Sequence, residues 1–524
     1  MYRLFEQRLS RLQDADRGAF LAGGIIGLEK ESLRVSPEGV IAHTPHPASL
    51  GSALVNQYIT TDYSEALIEL ITPPLPGVTT ALNFLQDTQK FVREHLEDEF
   101  LWAASMPCVL PGGEGIPIAQ YGDSNAGIMK TVYRRGLGHR YGRVMQVIAG
   151  VHFNYSPPAE LWPVLQDLEA SATDLKQFRD DRYFGLIRNL QRYGWLILYL
   201  FGVSPAVCKS YLQEKASFFS EFNATTYFQP FATSLRMGNI GYTNRQEEGV
   251  GVKACYDDLE SYVDSLIRAI ETPCPKWQEI GVVVNGRFEQ LNANLLQIEN
   301  EYYSTVRPKQ PVQWMEKPTL ALRRRGVQYV ELRSLDVNPF HPLGICEEQV
   351  RFLEAFMLFC LLQESPRISS MEQREIDQNL ELTAHRGREP SLQLQRQGLA
   401  VRLNDWAAEI CDRVEAVCGL LDAAGGEDQY AASLAQQMAA VRDPELTPSA
   451  RMLSEMRENG EGFFQFAKRI SLQHHHHFQE LPLTAERRRL FEEEANRSRK
   501  QQQLLEEQDS RSFADFLQDY FVQR

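Results

Sequence analysis

The 524-residue sequence has no C-x-x-C pair, no hydrophobic run long enough to cross a membrane and no glycine-rich phosphate loop. Its eight cysteines are scattered, so neither a disulfide framework nor a zinc site is expected, and reduced thiols fit best. The longest apolar stretch, residues 195–203, is too short for a transmembrane helix. Because the N-terminus also has no signal-peptide apolar run, we expect a soluble cytoplasmic protein.

The chain also has fewer basic than acidic residues. The chain has 54 Lys and Arg against 69 Asp and Glu, which gives a net charge of −15. Such a surface repels phosphate backbones and anionic lipids, so we predict no nucleic-acid partner and no membrane partner. A small nucleotide can still bind, because magnesium can lie between carboxylates and phosphates. Without a P-loop or a G-x-G-x-x-G turn, ATP would have to be held by metal ions and arginines on a sheet.

The predicted elements alternate irregularly, without the repeated strand–helix–strand order of a parallel sheet. Strand-like runs cover residues 25–35, 60–72, 144–155, 280–298 and 328–335. Helical spacing is found in residues 2–20, 82–96, 161–211, 347–363 and 405–421, and from 484 onward. The polar stretch 364–397 is interpreted as a long insertion or mobile loop. This pattern predicts an α+β fold with a mainly antiparallel sheet flanked by helices.

Two strand-like runs carry carboxylates that are candidates for a functional site. Glu29 and Glu31 are two residues apart and so share one face, with Leu28 and Lys30 on the other. Taken alone, this pair is best interpreted as an exposed polar face. Glu69 is more informative, because it interrupts an apolar run that should be buried, and buried carboxylates are normally paired or metal-bound.

Two further runs add a histidine, an acid and a base. His152 lies among β-forming residues, where a hydrogen-bonded core histidine is the more common case. Glu331 and Arg333 share a strand face and could simply pair, or could divide the work of phosphoryl transfer between metal binding and phosphate contact. Taken together, the acidic residues and the histidine supply oxygen-rich ligation for two or three Mg²⁺ ions. This set consists of Glu29, Glu31, Asp62, Glu69, His152 and Glu331.

Eight long stretches, in the same order, resemble the glutamate–cysteine ligase family of the proteobacterial type. They are GLEKESLRV, LGSALVNQYITTDYSEALIELITP, AQYGDSNAG, LGHRYG, GVHFNYS, ATSLRMGNIGYTN, LQIENEYYSTVRPK and YVELRSLDVNPF. They lie within roughly residues 20–360. Beyond residue 360 the similarity is limited to a general helical character.

The resemblance implies a glutamine-synthetase-like fold, in which a curved antiparallel sheet forms a funnel where ATP and glutamate meet. The family's magnesium ligands fall on the six acidic and histidine positions named above. Its cysteine pocket falls on Tyr63, Tyr133, Leu137, Gln146, Tyr242 and Tyr303. Arg134, Arg236 and Arg333 match its anion-binding arginines, and Glu331 and Arg333 its catalytic positions.

The implied activity is ATP-dependent ligation of the γ-carboxylate of glutamate to the amine of cysteine through γ-glutamyl phosphate, the first step of glutathione biosynthesis. Mg²⁺ is the implied cofactor, with Mn²⁺ as a substitute, and glutathione the implied feedback inhibitor of an expected monomer. Residues 1–360 are expected to form the catalytic ligase core. Residues 361–524 are expected to form a mostly helical region packed on the same domain.

Three features depart from the family pattern. Tyr63 stands where phenylalanine is expected, Tyr302 where leucine is expected, and the run His474–His477 has no counterpart there; a solvated helix face or loop is the simplest interpretation of that run. Three other functions stay open on the sequence. They are a ligase of the same superfamily that uses another amine, a bifunctional glutathione-forming enzyme, and a non-catalytic binding protein.

Overall fold

A computed structural model of the chain describes residues 2–14, 17–107, 109–110, 112–212, 218–241 and 252–523. Its centre is an eight-stranded sheet in which every described strand pair is antiparallel. Helices pack against this sheet. The prediction of an α+β fold with a mainly antiparallel sheet is therefore confirmed.

The strands are defined as follows. They are β1 (Ile25–Val35), β2 (Ile59–Thr61), β3 (Leu67–Ile71), β4 (Leu75–Pro76), β5 (Phe100–Leu101), β6 (Val151–Ser156), β7 (Ala206–Cys208), β8 (Ser220–Asn223), β9 (Thr226–Phe228), β10 (Val283–Val284), β11 (Arg287–Phe288), β12 (Val306–Lys309), β13 (Tyr329–Leu335), β14 (Gln393–Arg396) and β15 (Leu399–Arg402). The central sheet has the order β12-β13-β6-β1-β3-β2, and β4 and β5 also pair with β1.

The α-helices are defined in the same way. They are α1 (Arg3–Asp14), α2 (Val78–Glu94), α3 (Asn125–Tyr141), α4 (Leu161–Leu168), α5 (Leu175–Tyr193), α6 (Trp195–Phe201), α7 (Lys209–Leu212), α8 (Leu259–Glu271), α9 (Pro275–Gln278), α10 (Pro318–Arg325), α11 (Glu347–Leu362), α12 (Ser370–Arg386), α13 (Leu403–Gly425), α14 (Gln429–Arg442), α15 (Pro448–Glu458), α16 (Phe463–Glu480), α17 (Ala485–Gln508) and α18 (Phe513–Phe521). No helix among the described residues is long and apolar enough to span a membrane.

The central sheet has one apolar face and one polar face, because side chains alternate along each strand. Leu332, Phe153 and Leu28 are register partners on β13, β6 and β1, and each is at most 2% exposed. The neighbouring row of partners, Glu331, Asn154 and Gly27, projects from the opposite face. The first row packs into the hydrophobic core, so the polar row is left to line a site.

The helical layer behind the apolar face is built around α11. Every residue of α11 from 349 to 362 is buried, which fits a helix that packs on α5, α13 and α14 at once. The ring of Phe359 contacts those of Phe5 and Tyr193. One continuous hydrophobic cluster includes these rings and also Trp406 and Phe491 from the C-terminal third.

Several predicted elements need correction. The stretch 364–397, expected as a loop, contains the 17-residue helix α12 and strand β14. Its polarity reflects a helix with one buried side only, where Ile376, Asn379, Thr383 and Ala384 face the protein. The block 280–298, expected to be rich in strand, contains only the two short strands β10 and β11.

Other boundaries are also adjusted. The predicted helix 2–20 ends at Asp14, and a single 3₁₀ turn follows at Gly18–Leu21. The run 144–155 begins as a 3₁₀ turn, and its strand starts only at Val151. The bounds of two strands that carry acidic residues were predicted correctly. Strand β1 coincides with the predicted run 25–35, and β13 matches 328–335 to within one residue.

Candidate active site

The polar face of the central sheet forms the floor of a cavity of about 390 Å³. The walls come from α3, from the segment before β12 and from β12 itself. Among the described residues it is lined by Glu29, Asp62, Tyr63, Glu69, Lys130, Tyr133, Arg134, Leu137, Tyr141, Met145, Gln146, His152, Ile298, Asn300, Glu301, Tyr303, Arg307, Lys309, Glu331 and Arg333. Carboxylates and cations therefore share one concave site, which is typical of a catalytic centre.

Glu29 and His152 are register partners on β1 and β6. Nδ1 of His152 donates to Oε2 of Glu29 at 2.8 Å, and the side-chain amide of Asn154 donates to Oε1 of Glu29 at 2.9 Å. Burial is the largest influence and raises the pKa of Glu29, but the hydrogen bond and charge of His152, together with the charge of Lys309, lower the pKa overall. Glu29 is thus held as a carboxylate that faces the cavity.

Glu31 and Glu69 are register partners on β1 and β3. Burial raises the pKa of both carboxyl groups. The nearby charges of Glu29, Asp62 and Glu31 raise that of Glu69 further. Carboxylates placed this close ionise together only when a cation lies between them.

Glu331 on β13 is 1% exposed. Burial would raise the pKa of its carboxyl group, but Lys309, Arg333 and His152 together lower it well below the usual range. Nζ of Lys309 lies 3.3 Å and a guanidinium nitrogen of Arg333 3.1 Å from Oε1. The other oxygen, Oε2, is buried and has no hydrogen-bond partner among the described residues, so it is available to a ligand from the cavity.

Two groups of three side chains have the spacing of metal ligands. Glu29, His152 and Glu331 form one, and Glu31, Glu69 and His152 the other, with the ligand atoms of each group within 4.8 Å of one another. Carboxylate oxygens with one imidazole nitrogen suit Mg²⁺ or Mn²⁺ better than a soft metal. The unpartnered oxygen of Glu331 and the raised pKa of Glu69 also fit a site built for a cation.

Asp62, the sixth predicted metal ligand, lines the same cavity at the end of β2. Its carboxylate is in neither group of three. Its backbone carbonyl accepts a hydrogen bond from Arg134. The structure therefore brings all six predicted ligands together, with Asp62 at the periphery of the cluster.

Five cationic side chains line the cavity together with these carboxylates. Arg333 extends from β13, Lys309 and Arg307 from the neighbouring strand β12, and Lys130 and Arg134 from α3. Arginine and lysine side chains around a cavity are the usual partners of phosphate and carboxylate groups. Arg333 and Arg134 were expected here from the sequence.

Arg236, the third predicted arginine, does not line the cavity. It is 2% exposed and donates a hydrogen bond to the backbone carbonyl of Arg333 at 3.0 Å. Its guanidinium also lies 3.9 Å from Asp336. A Cβ at residue 150 would lie 2.0 Å from this guanidinium, so Gly150 is required for its approach. Arg236 therefore supports the strand that carries Arg333.

Five of the six residues predicted for the cysteine pocket line this cavity. They are Tyr63, Tyr133, Leu137, Gln146 and Tyr303. The sixth, Tyr242, lies outside the described residues. Among the departures from the family pattern, Tyr63 is 1% exposed, and its hydroxyl has no hydrogen-bond partner among the described residues.

Sequence reasoning missed eight residues that line the cavity. They are Lys130, Tyr141, Met145, Ile298, Asn300, Glu301, Arg307 and Lys309. Two of them, Arg307 and Lys309, could have been predicted from the sequence. They alternate along a strand-like run that follows an acidic segment, so they share one face of that strand. The others come from helix α3 and irregular segments, where no period relates a side chain to the sheet.

The chain is similar to glutamate–cysteine ligases over most of its length. The family model for glutamate-cysteine ligase matches residues 9–383. The glutamate–cysteine ligase of Alcanivorax borkumensis is 45% identical over 521 residues, which cover 98% of this chain and 99% of that protein. That of Pseudomonas putida KT2440 is 48% identical over 494 residues, 94% of each chain.

Solved structures agree with these relatives. The crystal structure of a glutamate–cysteine ligase from Francisella tularensis in complex with AMP has a TM-score of 0.89 and 34% identity, covering 95% of this chain and 98% of that one. A bifunctional glutathione synthetase from Pasteurella multocida has a TM-score of 0.70 and 25% identity, covering 90% of this chain and 55% of that one.

Proposed function

This chain belongs to the glutamate–cysteine ligase family, and on that premise we propose that its cavity joins the γ-carboxylate of L-glutamate to the amine of L-cysteine. ATP is the co-substrate, and the products are γ-glutamylcysteine, ADP and phosphate. This reaction is the first step of glutathione biosynthesis. The observation that carries the proposal is that carboxylates and five cationic side chains line one cavity together, as phosphoryl transfer to a carboxylate requires.

The reaction needs two steps, because a free carboxylate is a poor acyl donor whose leaving group would be oxide. First, an oxygen of the γ-carboxylate bonds to the γ-phosphorus of ATP, and the bond from that phosphorus to ADP breaks. Second, the amine nitrogen of cysteine attacks the acyl carbon of γ-glutamyl phosphate, phosphate leaves with its bonding electrons, and the amine loses a proton. The enzyme must therefore bring two anions together and exclude water.

We infer that Glu29, Glu31, Glu69 and Glu331, with His152, hold the Mg²⁺ ions, and that Asp62 completes the set from the periphery. When bound, Mg²⁺ supplies positive charge that screens the repulsion between the γ-carboxylate and the triphosphate. Two or three ions fit the number of ligands, and Mn²⁺ fits the same donor atoms. The two groups of three ligands that share His152 support this assignment.

Arg333 and Lys309 are proposed to bind the phosphoryl group that is transferred. Both already lie within 3.3 Å of Oε1 of Glu331, so the cations are held beside a metal ligand before substrate arrives. Such prior placement lowers the reorganisation needed in the transition state. Arg134 is proposed to bind a substrate carboxylate, and Arg236 to act as a positioning residue for Arg333.

The second amino acid is proposed to bind against Tyr63, Tyr133, Leu137, Gln146 and Tyr303, with Tyr242 as the remaining member. Aromatic and aliphatic side chains suit a small thiol and keep water away from the acyl phosphate. Gln146 is 7% exposed and adds an amide group to this largely aromatic wall.

Further properties follow from the family and are part of the proposal. The sheet is inferred to be the glutamine-synthetase-like funnel, with residues 1–360 as the catalytic core and residues 361–524 packed on it. Glutathione is inferred to inhibit, because its γ-glutamyl part can occupy the glutamate site. A cytoplasmic monomer is the proposed form. The AMP bound to the Francisella tularensis relative supports an adenine nucleotide as co-substrate.

The test is ADP release in a coupled assay with ATP, Mg²⁺ and glutamate, with and without cysteine. Strong cysteine-dependent release, with γ-glutamylcysteine identified by mass spectrometry, is the expected result. Chelation with EDTA should stop release, and Mn²⁺ should restore part of it.

Substituting the amine separates this function from its rivals. If 2-aminobutyrate or ammonium supports faster release than cysteine at equal concentration, the enzyme is a related ligase with a different acceptor. If Mg²⁺ and nucleotide bind but no ADP is released with any amine, the protein is a binding protein and the proposed function is wrong.

A further inference from the structure

The C-terminal helix α18 packs against α3, the helix that carries one wall of the active-site cavity. Its apolar side chains recur every three or four residues and so form one stripe. They are Phe513, Phe516, Leu517, Tyr520 and Phe521. Leu517 and Tyr520 are only 5% and 7% exposed, so this stripe is the buried side of the helix.

A small hydrophobic cluster, separate from the main core, forms where α18 meets α3. Its buried members are Met129, Val132, Leu291, Leu517 and Tyr520. Tyr133 of α3 and Ile298 are half-buried, and both pack against this cluster. Tyr133 and Ile298 also line the active-site cavity, whereas Leu517 and Tyr520 do not. The cluster therefore lies behind part of the cavity wall.

The beginning of α18 is anchored to the beginning of α3. Helix α3 starts at Asn125, whose backbone N–H and side-chain amide both donate to the carboxylate of Asp509. The same side-chain amide donates to the backbone carbonyl of Arg511 at 3.1 Å. The hydroxyl of Ser512 then caps α18 by accepting from the backbone N–H of Asp515. The first turns of the two helices are thus tied together.

The end of α18 is anchored to the segment before α10. Lys317 is 5% exposed, and its ammonium donates to the backbone carbonyl of Phe521 at 2.7 Å. A cation at the C-terminus of a helix is favourable, because the last carbonyls carry partial negative charge. The side-chain amide of Gln523 donates to the carbonyl of Met315 at 2.9 Å. Held at both ends, α18 keeps its apolar stripe on the cluster.

Other contacts hold the backbone of α3 in place. The side-chain amide of Gln297 donates to the backbone carbonyl of Tyr133 at 3.2 Å. Near the end of the helix, Arg140 is buried against Glu301 at 2.7 Å. A smaller side chain in α18 should therefore leave α3 where it is and loosen only the side chains that pack on the cluster.

We propose that α18 positions the pocket of the second amino acid, with Leu517 and Tyr520 acting through Tyr133 and Ile298. This inference rests on the proposed function, in which Tyr133 contacts the acceptor amino acid. Close packing behind a pocket fixes its volume, and a pocket of fixed volume discriminates between side chains that differ by one methylene. Helix α18 thereby favours cysteine over homocysteine, a thiol amino acid that is one methylene longer.

Leu517→Ala tests the inference by opening space behind the wall. The quantity measured is the ratio of kcat/KM for cysteine to kcat/KM for homocysteine, from ADP release with ATP, Mg²⁺ and glutamate. The ratio should fall about fivefold, mainly through a higher KM for cysteine, with kcat and the KM for ATP within about twofold of the unmodified chain. Because both acceptors meet the same enzyme molecules, partial unfolding does not change the ratio.

Two variants separate positioning from loss of stability. Leu517→Met keeps the volume of the side chain and should keep the ratio. Leu453→Ala makes the same truncation at a leucine of α15 that is 1% exposed. It should lower the melting temperature and leave the ratio unchanged. If Leu517→Ala does not fold, Leu517→Val removes less volume and should lower the ratio about twofold.

The outcomes distinguish this inference from the function on which it rests. A folded Leu517→Ala or Leu517→Val protein with the ratio of the unmodified chain would overturn the role of α18 and leave the ligase activity standing. An equal fall of the ratio in Leu453→Ala would also overturn it. If the unmodified chain releases no ADP with cysteine, the proposed function is wrong, and the inference falls with it.

Discussion

Glu29 and His152 face each other across two antiparallel strands, with Nδ1 of the imidazole 2.8 Å from Oε2 of the carboxylate. Opposed residues in such a pair project from the same face of the sheet, so the register of β1 and β6 places the acid and the imidazole together. A slip of one residue would turn Glu29 and Glu31 towards the hydrophobic core. The metal-binding cluster is therefore a consequence of strand register.

Glu331→Gln should lower turnover at least about 100-fold in a protein that still folds, with a lower melting temperature because the ion pairs with Lys309 and Arg333 are lost. The substitution keeps the size of the side chain but removes the charge of a proposed metal ligand. Turnover is measured as cysteine-dependent ADP release, and folding by thermal unfolding. Glu354→Gln makes the same chemical change on the opposite side of the sheet and should retain turnover. Normal ADP release by Glu331→Gln would remove this residue from the mechanism.

Tyr63→Phe should raise the free energy of unfolding by about 1 kcal/mol, because the Tyr63 hydroxyl is buried without a partner among the described residues. Tyr121→Phe is the control. Its hydroxyl donates to the carbonyl of Thr61 at 2.8 Å, so its loss should cost about 1 kcal/mol. Urea unfolding of the three proteins measures both changes. Destabilisation of equal size in the two variants would mean that the Tyr63 hydroxyl has a partner.

Glu301→Gln should destabilise the protein by about 3 kcal/mol and raise the KM for the amino-acid substrates. Glu301 and Arg140 form an ion pair at 2.7 Å in which both side chains are fully buried, and removal of one partner leaves an uncompensated charge. Glu301 also accepts a hydrogen bond from the hydroxyl of Tyr141, which lines the cavity.

Arg323→Ala is the control for Glu301→Gln, because it breaks an exposed ion pair instead of a buried one. Arg323 lies 2.6 Å from Asp264, but both side chains are exposed to solvent, so the change should stay within about 0.5 kcal/mol. Denaturant unfolding and substrate titration measure the two effects. If the two variants lose the same stability, burial does not decide the strength of the Arg140–Glu301 pair.

The stability of the chain should fall with pH through the titration of Glu354. Burial raises the pKa of this carboxyl group from 4.5 to about 7 in the folded protein, so the folded state binds more protons than the unfolded state between these values. Its contribution to stability is complete below pH 4.5 and is lost as the pH rises through 7.

Glu354→Gln removes this titration and tests it directly. Relative to the unmodified chain, the variant should gain stability as the pH rises from 5 to 8, by up to about 3 kcal/mol. The hydroxyl of Tyr430, which donates to Oε2 of Glu354 at 2.7 Å, can still donate to the amide oxygen. A difference that stays constant with pH would show that Glu354 titrates alike in both states.

Much of the site could be predicted because it lies on strands. Glu29 and Glu31 share a face by alternation alone, and Glu69 stands out as an acid within an apolar run. The prediction of a loop at 364–397 was wrong. Most side chains of α12 face away from the core, so its sequence is as polar as that of a loop. The contact of Arg236 with the carbonyl of Arg333 could not be predicted, since it depends on the close approach at Gly150.

The amino-acid sequence by itself determined the antiparallel α+β class, the acidic strands and, through long matching motifs, the family. These features depend on local alternation of side chains and on residue identity, both of which can be read along the chain. Only the tertiary structure decided that Lys309 would join Arg333 at Glu331 and that Arg140 would be buried against Glu301. These contacts join segments far apart in sequence, and their geometry depends on how the sheet and helices pack.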